Sequence, residues 1–185
     1  QLLGSGVILR EVIKAAKILR DEYQIHSNVW SVTSFNELAR DGMACDEYNR
    51  LHPLTETAQE SWVSKQLRHT DGIVVSATDH MRAYSEQIRG YLPDNRPYVT
   101  LGTDGYGRSD TRGNLRSYFG VDAAHIVVAT LKKLADEGEV ENRLVKDAIS
   151  SFELDTDRPV AWAPQEHPQV QAVAEYHEYQ AGEGN

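Results

Sequence analysis

The sequence predicts an α/β sandwich built on a mostly parallel sheet of four or five strands. Two observations carry that expectation. Short apolar runs such as Gly72-Ile73-Val74-Val75-Ser76 have the length and composition of buried parallel strands, and amphipathic stretches alternate with them along the chain. Polar turns rich in Gly, Ser, Thr and Asp follow several of the runs, where open α/β sheets place their binding crevices. At 185 residues the chain is long enough for one core and too short for two ordinary domains, and it contains no internal repeat.

Taken in order, residues 1–6 end a strand and turn through Gly4-Ser5-Gly6 into a helix from Val7 to about Glu22. Ile8, Val12, Ala16 and Leu19 form its apolar stripe, opposite Arg10, Lys14, Lys17 and Asp21. The turn reads either as a plain tight connection or as an anion site using free backbone N–H groups at a helix start. It lacks the later glycine of a dinucleotide fingerprint and the Lys-Ser/Thr of a P-loop. Asn28–Thr33 alternates as a second strand. Ser34 with Glu37 three residues on forms a capping-box pattern, and Asp41-Gly42 is expected to break or bend the helix that follows before it resumes through Tyr48. His52-Pro53 ends that element, since the residue before proline disfavours helix. His52 could titrate near neutrality, but no partner is identifiable by spacing, so it reads as a structural or interface histidine.

Thr57–His69 is expected to be a helix around Trp62 and Leu67, and Gly72–Ser76 a third strand. Thr78 and Asp79 are expected to cap a helix carrying Met81, Tyr84, Ile88 and Tyr91. Tyr98–Leu101 forms the fourth strand and Asn114–Phe119 a helix. Asp122 is positioned to cap a helix across His125–Leu134, and Glu139–Ser151 forms the last one. Beyond Phe152 the pattern fails. Residues 153–185 hold seven acidic residues against Arg158 alone, with three prolines, and read as an acidic tail that is extended or partly disordered. A short helix over Pro168–Tyr179 is the one element expected there, and His167 and His177 read as solvated rather than as ligands.

The net charge of −9 argues against a general nucleic-acid or anionic-membrane surface. No run approaches the roughly 20 apolar residues of a membrane span, nothing resembles a signal peptide, and the default compartment is the cytoplasm. The single cysteine, Cys45, excludes an internal disulfide and a thiolate-rich metal site, and reads as a small buried thiol. The chain lacks an initiating Met and opens inside an apparent strand, as a fragment of a longer polypeptide would. No nucleophile elbow, metal-ligand spacing or P-loop is present, so no complete catalytic set can be assembled from these residues.

The densest polar stretch is Leu101-Gly102-Thr103-Asp104-Gly105-Tyr106-Gly107-Arg108-Ser109-Asp110-Thr111-Arg112, between the fourth strand and a helix. Its glycines permit sharp turns and close backbone approach, and its arginines suit bidentate carboxylate pairing. This run closely resembles a signature of the homodimeric, thiamine-diphosphate-dependent pyruvate dehydrogenase decarboxylating component. Gln1–Gly6, Ser31–Gly42 and Arg50–Pro53 resemble the same family in the same order. The resemblance covers residues 1–152 and places them as that enzyme's third domain, of the transketolase C-terminal type, which implies a compact three-layer α/β/α sandwich; residues 153–185 fall outside it.

The resemblance implies a whole enzyme that uses thiamine diphosphate and Mg²⁺ to decarboxylate pyruvate and passes acetyl to the lipoyl group of the acyltransferase component. The cofactor would be held by the two preceding domains, so this part is expected to be inactive alone. Its implied work is packing on those domains, supporting the homodimer and framing the cleft. Asp104, Arg108, Asp110, Arg112 and His52 are the interface or cleft-lining candidates, with Gly4, Ser5 and Gly6 as a weaker anion-site candidate. Two alternatives stay open: an independent anion- or nucleotide-binding module, and a related 2-oxo acid dehydrogenase or transketolase-type enzyme.

Overall fold

The computed structural model describes residues 1–163. Its centre is a four-stranded, all-parallel sheet of β1 (Leu2–Gly4), β2 (Val29–Ser31), β3 (Val74–Ala77) and β4 (Tyr98–Leu101), in the order β2-β1-β3-β4. Register pairs Leu3 with Trp30 on one side and with Ser76 on the other, and Val75 with Val99. All four residues of β3 are buried, as a central strand covered on both faces requires.

Alternation along the strands sorts side chains into two cores, and this makes three layers. Leu2, Val75 and Ala77 point to the face covered by α1 (Leu9–Tyr23), α6 (Ala123–Asp136) and α7 (Asn142–Ser151). Leu3, Val74 and Tyr98 point to the other face, with Phe35 of α2 (Phe35–Leu51), Val63 and Leu67 of α3 (Trp62–Leu67), and Ile88. Two short helices, α4 (Arg82–Glu86) and α5 (Arg112–Phe119), follow β3 and β4. The α/β sandwich expected from the alternation is therefore the observed fold.

Local signals worked where their partners lie within a turn. Ser34 Oγ accepts from Glu37 N at 3.2 Å to cap α2, and Asp122 Oδ1 accepts from His125 N at 3.0 Å to cap α6. The His125 ring also bonds Asp122 Oδ1 at 2.7 Å. Burial by itself would raise the Asp122 carboxyl, but the ring and backbone hydrogen bonds of His125 outweigh it and hold the group below its ordinary value.

Three expectations are corrected. Gly42 neither breaks nor bends its helix: α2 runs unbroken through it, because the Tyr91 ring packs where a side chain would stand, 2.5 Å from an added Cβ. The helix expected from Thr57 begins only at Trp62, where Ser61 Oγ accepts from Ser64 N at 3.3 Å and Asp41 Oδ2 accepts from Trp62 N at 2.5 Å. The single helix expected through Tyr91 is α4 followed by 3-10 turns at Arg89–Tyr91 and Pro93–Asn95.

Past α7 the described chain continues through residues 153–163, and residues 158–162 return to α5 and to the loop after β4. Residues 164–185, with the helix expected over Pro168–Tyr179 and with His167 and His177, lie outside the described residues.

Candidate functional site

From β1 the chain crosses to β2 on one side and later to β3 on the other, so the sheet's topological switch point lies at the C-terminal ends of β1 and β3. The Gly4-Ser5-Gly6 turn and Thr78-Asp79 meet there, and they close the crevice on themselves. Ser5 Oγ donates to Thr78 Oγ1 at 2.7 Å, Ser5 N donates to Ala77 O at 3.2 Å, and both side chains are buried. Gly4 lets the first helical turn cross the strand end directly, since a Cβ there would lie 2.9 Å from Leu9 Cα. The Asp79 carboxylate stands 2.9 Å from where a Cβ on Gly6 would be, so an incoming anion would face a negative charge. Neither Thr78 nor Asp79 caps the next helix with its side chain, which corrects that expectation; Thr78 Oγ1 instead accepts from His80 N at 3.2 Å.

Helix α4 takes its cap from the signature loop. Asp104 Oδ1 accepts from Arg82 N at 3.2 Å while Oδ2 accepts from Arg82 Nε at 2.6 Å, so one carboxylate satisfies the helix start and pairs the side chain of the same residue. The loop is tied again where Thr103 N donates to His80 O at 2.9 Å and Thr103 Oγ1 donates to Asp79 O at 2.8 Å. Gly105 has φ +124°, a conformation that disfavours a side chain, and an added Cβ would lie 2.5 Å from Ala161 O. Tyr106 is then carried outward, 79 % exposed. Asp110 Oδ1 accepts from Thr111 N at 2.6 Å and Asn114 Nδ2 at 2.8 Å, and Thr111 Oγ1 accepts from Asn114 N at 3.3 Å, which together start α5.

The carboxylate of Asp104 thus pairs with Arg82, an arginine outside the loop. Arg108 lies over the Tyr118 ring, 4.4 Å from its centroid. Arg108 and Arg112 line one groove of about 550 Å³ with Asp79, Val7, Leu115 and Phe119. A second cleft, about 340 Å³, lies on the α2 side and is lined by Ser5, Asn36, His80 and Tyr84. His52 is not part of this group. It sits at the far end of α2, roughly 25 Å of helix from Ser34, with its ring stacked on Tyr48 at 4.1 Å and Nδ1 bonded to Tyr48 O at 2.9 Å. Cys45 is buried in α2, and burial pushes its thiol up, away from nucleophile chemistry.

Sequence reasoning missed Glu11. Its side chain is 6 % exposed and accepts from Arg116 Nη1 at 2.9 Å, Lys14 Nζ at 3.0 Å and Ala123 N at 3.3 Å, tying α1 to α5 and to the start of α6. The available signal was positional: Glu11 lies three residues after Ile8 and four before Ala15, inside the buried stripe.

Among the described residues no group of three or more His, Cys, Asp or Glu could hold a metal ion, and no helix is long and apolar enough to cross a membrane.

The chain is 50 % identical to the pyruvate dehydrogenase E1 component of Escherichia coli K12 over 158 residues, 85 % of this chain and 17 % of that protein. It is 49 % identical to the protein of the same name from Pseudomonas aeruginosa, again over 85 % of this chain and 18 % of the relative, and 50 % identical to that of Cupriavidus necator over 86 % and 17 %. The chain therefore spans less than a fifth of the length of these relatives. Residues 1–122 match the model of the transketolase-like TK C-terminal domain. That match covers more than half of the chain, and its parallel sheet and two helical layers agree with it: the chain belongs to the transketolase-like TK C-terminal domain family.

Proposed function

We propose that this chain is the C-terminal domain of a pyruvate dehydrogenase decarboxylating component, and that its work there is structural. The observation that carries the reading is the half-identical match to E1 components across 158 residues. The whole enzyme would oxidatively decarboxylate pyruvate and transfer acetyl to the lipoyl acyltransferase, in the cytoplasm, with thiamine diphosphate and Mg²⁺.

The Gly4-Ser5-Gly6 turn does not fit that cofactor. The glycine turn uses Ser5 N and Oγ internally and faces the Asp79 carboxylate, where a diphosphate would need donors. Holding the cofactor falls to the preceding domains of the same polypeptide. What this domain offers instead is a surface. Val7, Met81, Tyr84 and Tyr106, each at least 40 % exposed, follow the C-terminal ends of β1, β3 and β4, beside the Arg108 and Arg112 groove. Apolar anchors next to arginines suit protein–protein contact. We assign that surface to the preceding domains and the homodimer partner, with Asp104 and Asp110 shaping the loop that carries it. His52, remote from it, belongs to a separate exposed end.

An immunoblot of the source organism with antibody to this chain should reveal a polypeptide several times larger than 20.8 kDa. A band near 20.8 kDa would overturn the reading in favour of an independent binding module. In the full-length enzyme, Arg108→Ala should weaken dimer assembly while turnover per assembled site is kept. An intact dimer with a large loss of turnover would count against the structural role.

A further inference from the structure

We propose that the segment from Arg158 to Trp162, beyond the last helix, is a strap that locks the signature loop. The loop and α5 form one continuous stretch; Arg158 and Ala161 touch it directly, and Trp162 touches the arginine that it clamps. Arg158 Nη1 donates to Ser117 O at 2.5 Å, so a guanidinium sits on a last-turn carbonyl of α5, where cations are favoured. Ala161 O stands against Gly105, closer than any side chain there would permit, and also accepts from Tyr118 Oη at 3.4 Å. The Trp162 ring lies 5.3 Å from the guanidinium of Arg82, the residue that Asp104 clamps.

These contacts sit at the middle of the loop, at the end of the following helix, and on the partner of the loop's carboxylate. Each is individually weak, because Trp162 is 53 % exposed and Arg82 is 44 % exposed. Their value lies in acting together on a loop whose own residues 104–113 are mostly exposed. Without the strap, Arg82 loses its aromatic cover and α5 loses the cation at its C-terminal end, while the core on the α2 face is untouched. The strap therefore acts on the order of the loop more than on the packing of the sheet.

The test is amide hydrogen exchange read by mass spectrometry on the 185-residue chain, comparing the natural sequence with the Arg158→Ala/Trp162→Ala double variant. Trp162 is exposed and Arg158 is half-buried outside both cores, so the variant should fold. Exchange across residues 103–112 should accelerate about tenfold while protection of Val74–Ala77 is unchanged. Trp162→Phe should keep most of the protection, because it retains a ring over Arg82. Unchanged loop exchange in the double variant would overturn the proposal, as would an equal loss of protection in β3, which would make the segment part of the global fold.

Discussion

Two glycine-bearing turns leave the C-terminal end of the sheet, one after β1 and one after β4, and they are held in opposite ways. Gly4-Ser5-Gly6 is closed by buried packing: the backbone of its own helix lies against Gly4, and Ser5 is bonded into the buried end of β3. The signature loop is held at the surface, by the exposed Asp79, His80 and Arg82 after β3 and by Ala161 beyond α7. The first turn is part of the core, and the second is a surface feature supported from outside. Similar composition therefore says little about whether a glycine turn presents its backbone to a ligand or closes on its own chain.

The contrast predicts where substitutions register. The largest effect should come from the buried carboxylate beneath the first turn. Arg116→Ala leaves Glu11 in a site where its side chain is 6 % exposed, and breaking such a pair should cost about 3 kcal/mol. Urea unfolding would measure it, and a loss within error of zero would mean that Lys14 and the Ala123 amide suffice for Glu11.

Gly4→Ala comes next. Its methyl group would meet the Leu9 backbone, which cannot swing aside as a side chain can, and overpacking of that kind costs about 2 kcal/mol. Gly105→Ala is its counterpart in the other turn. It should leave the urea midpoint nearly unchanged while displacing Ala161 and raising exchange across the loop. Equal losses of global stability at Gly4 and Gly105 would erase the distinction between the two turns.

The smallest effect is the dependence on acid. His125 holds the Asp122 carboxyl below its ordinary value against the opposing push of burial, and the Arg89 hydrogen bond does the same for Glu86 despite burial. Both groups release their proton more readily folded than unfolded. Their contribution is therefore present above about pH 4 and is lost as pH falls through the folded values. Asp122→Asn should flatten the acid limb of a stability–pH curve. Glu86 is partly exposed and screened by solvent, so Glu86→Gln should flatten it less. An acid limb unchanged by either substitution would place the acid sensitivity elsewhere.

Features with local partners were legible before the structure. The caps at Ser34 and Asp122 are satisfied within three residues, and the apolar run around Val74 can only be a central strand once helices flank it on both sides. Other positions misled because their partners are remote. Gly42 carries a helix-breaking signal in isolation, yet it is the gap that the Tyr91 ring, 49 residues later, fills within an unbroken α2. Asp79 stands where a cap belongs, but Asp104 provides it from the next crossover. Arg108 lies over the Tyr118 ring, a neighbour that no spacing in the loop announces.

The sequence by itself determined the parallel α/β sandwich and its order of strands and helices, together with the polar loop that marks the family. Periodicity and capping act over a few residues, so the chain states them locally. Only the tertiary structure decided that the switch-point crevice is closed by Ser5, Thr78 and Asp79, that Glu11 is buried as a three-way anchor, and that residues beyond α7 return to clasp the loop. Each of those depends on which groups the crossovers bring within hydrogen-bond distance. That proximity is a property of the folded topology and appears in no local pattern.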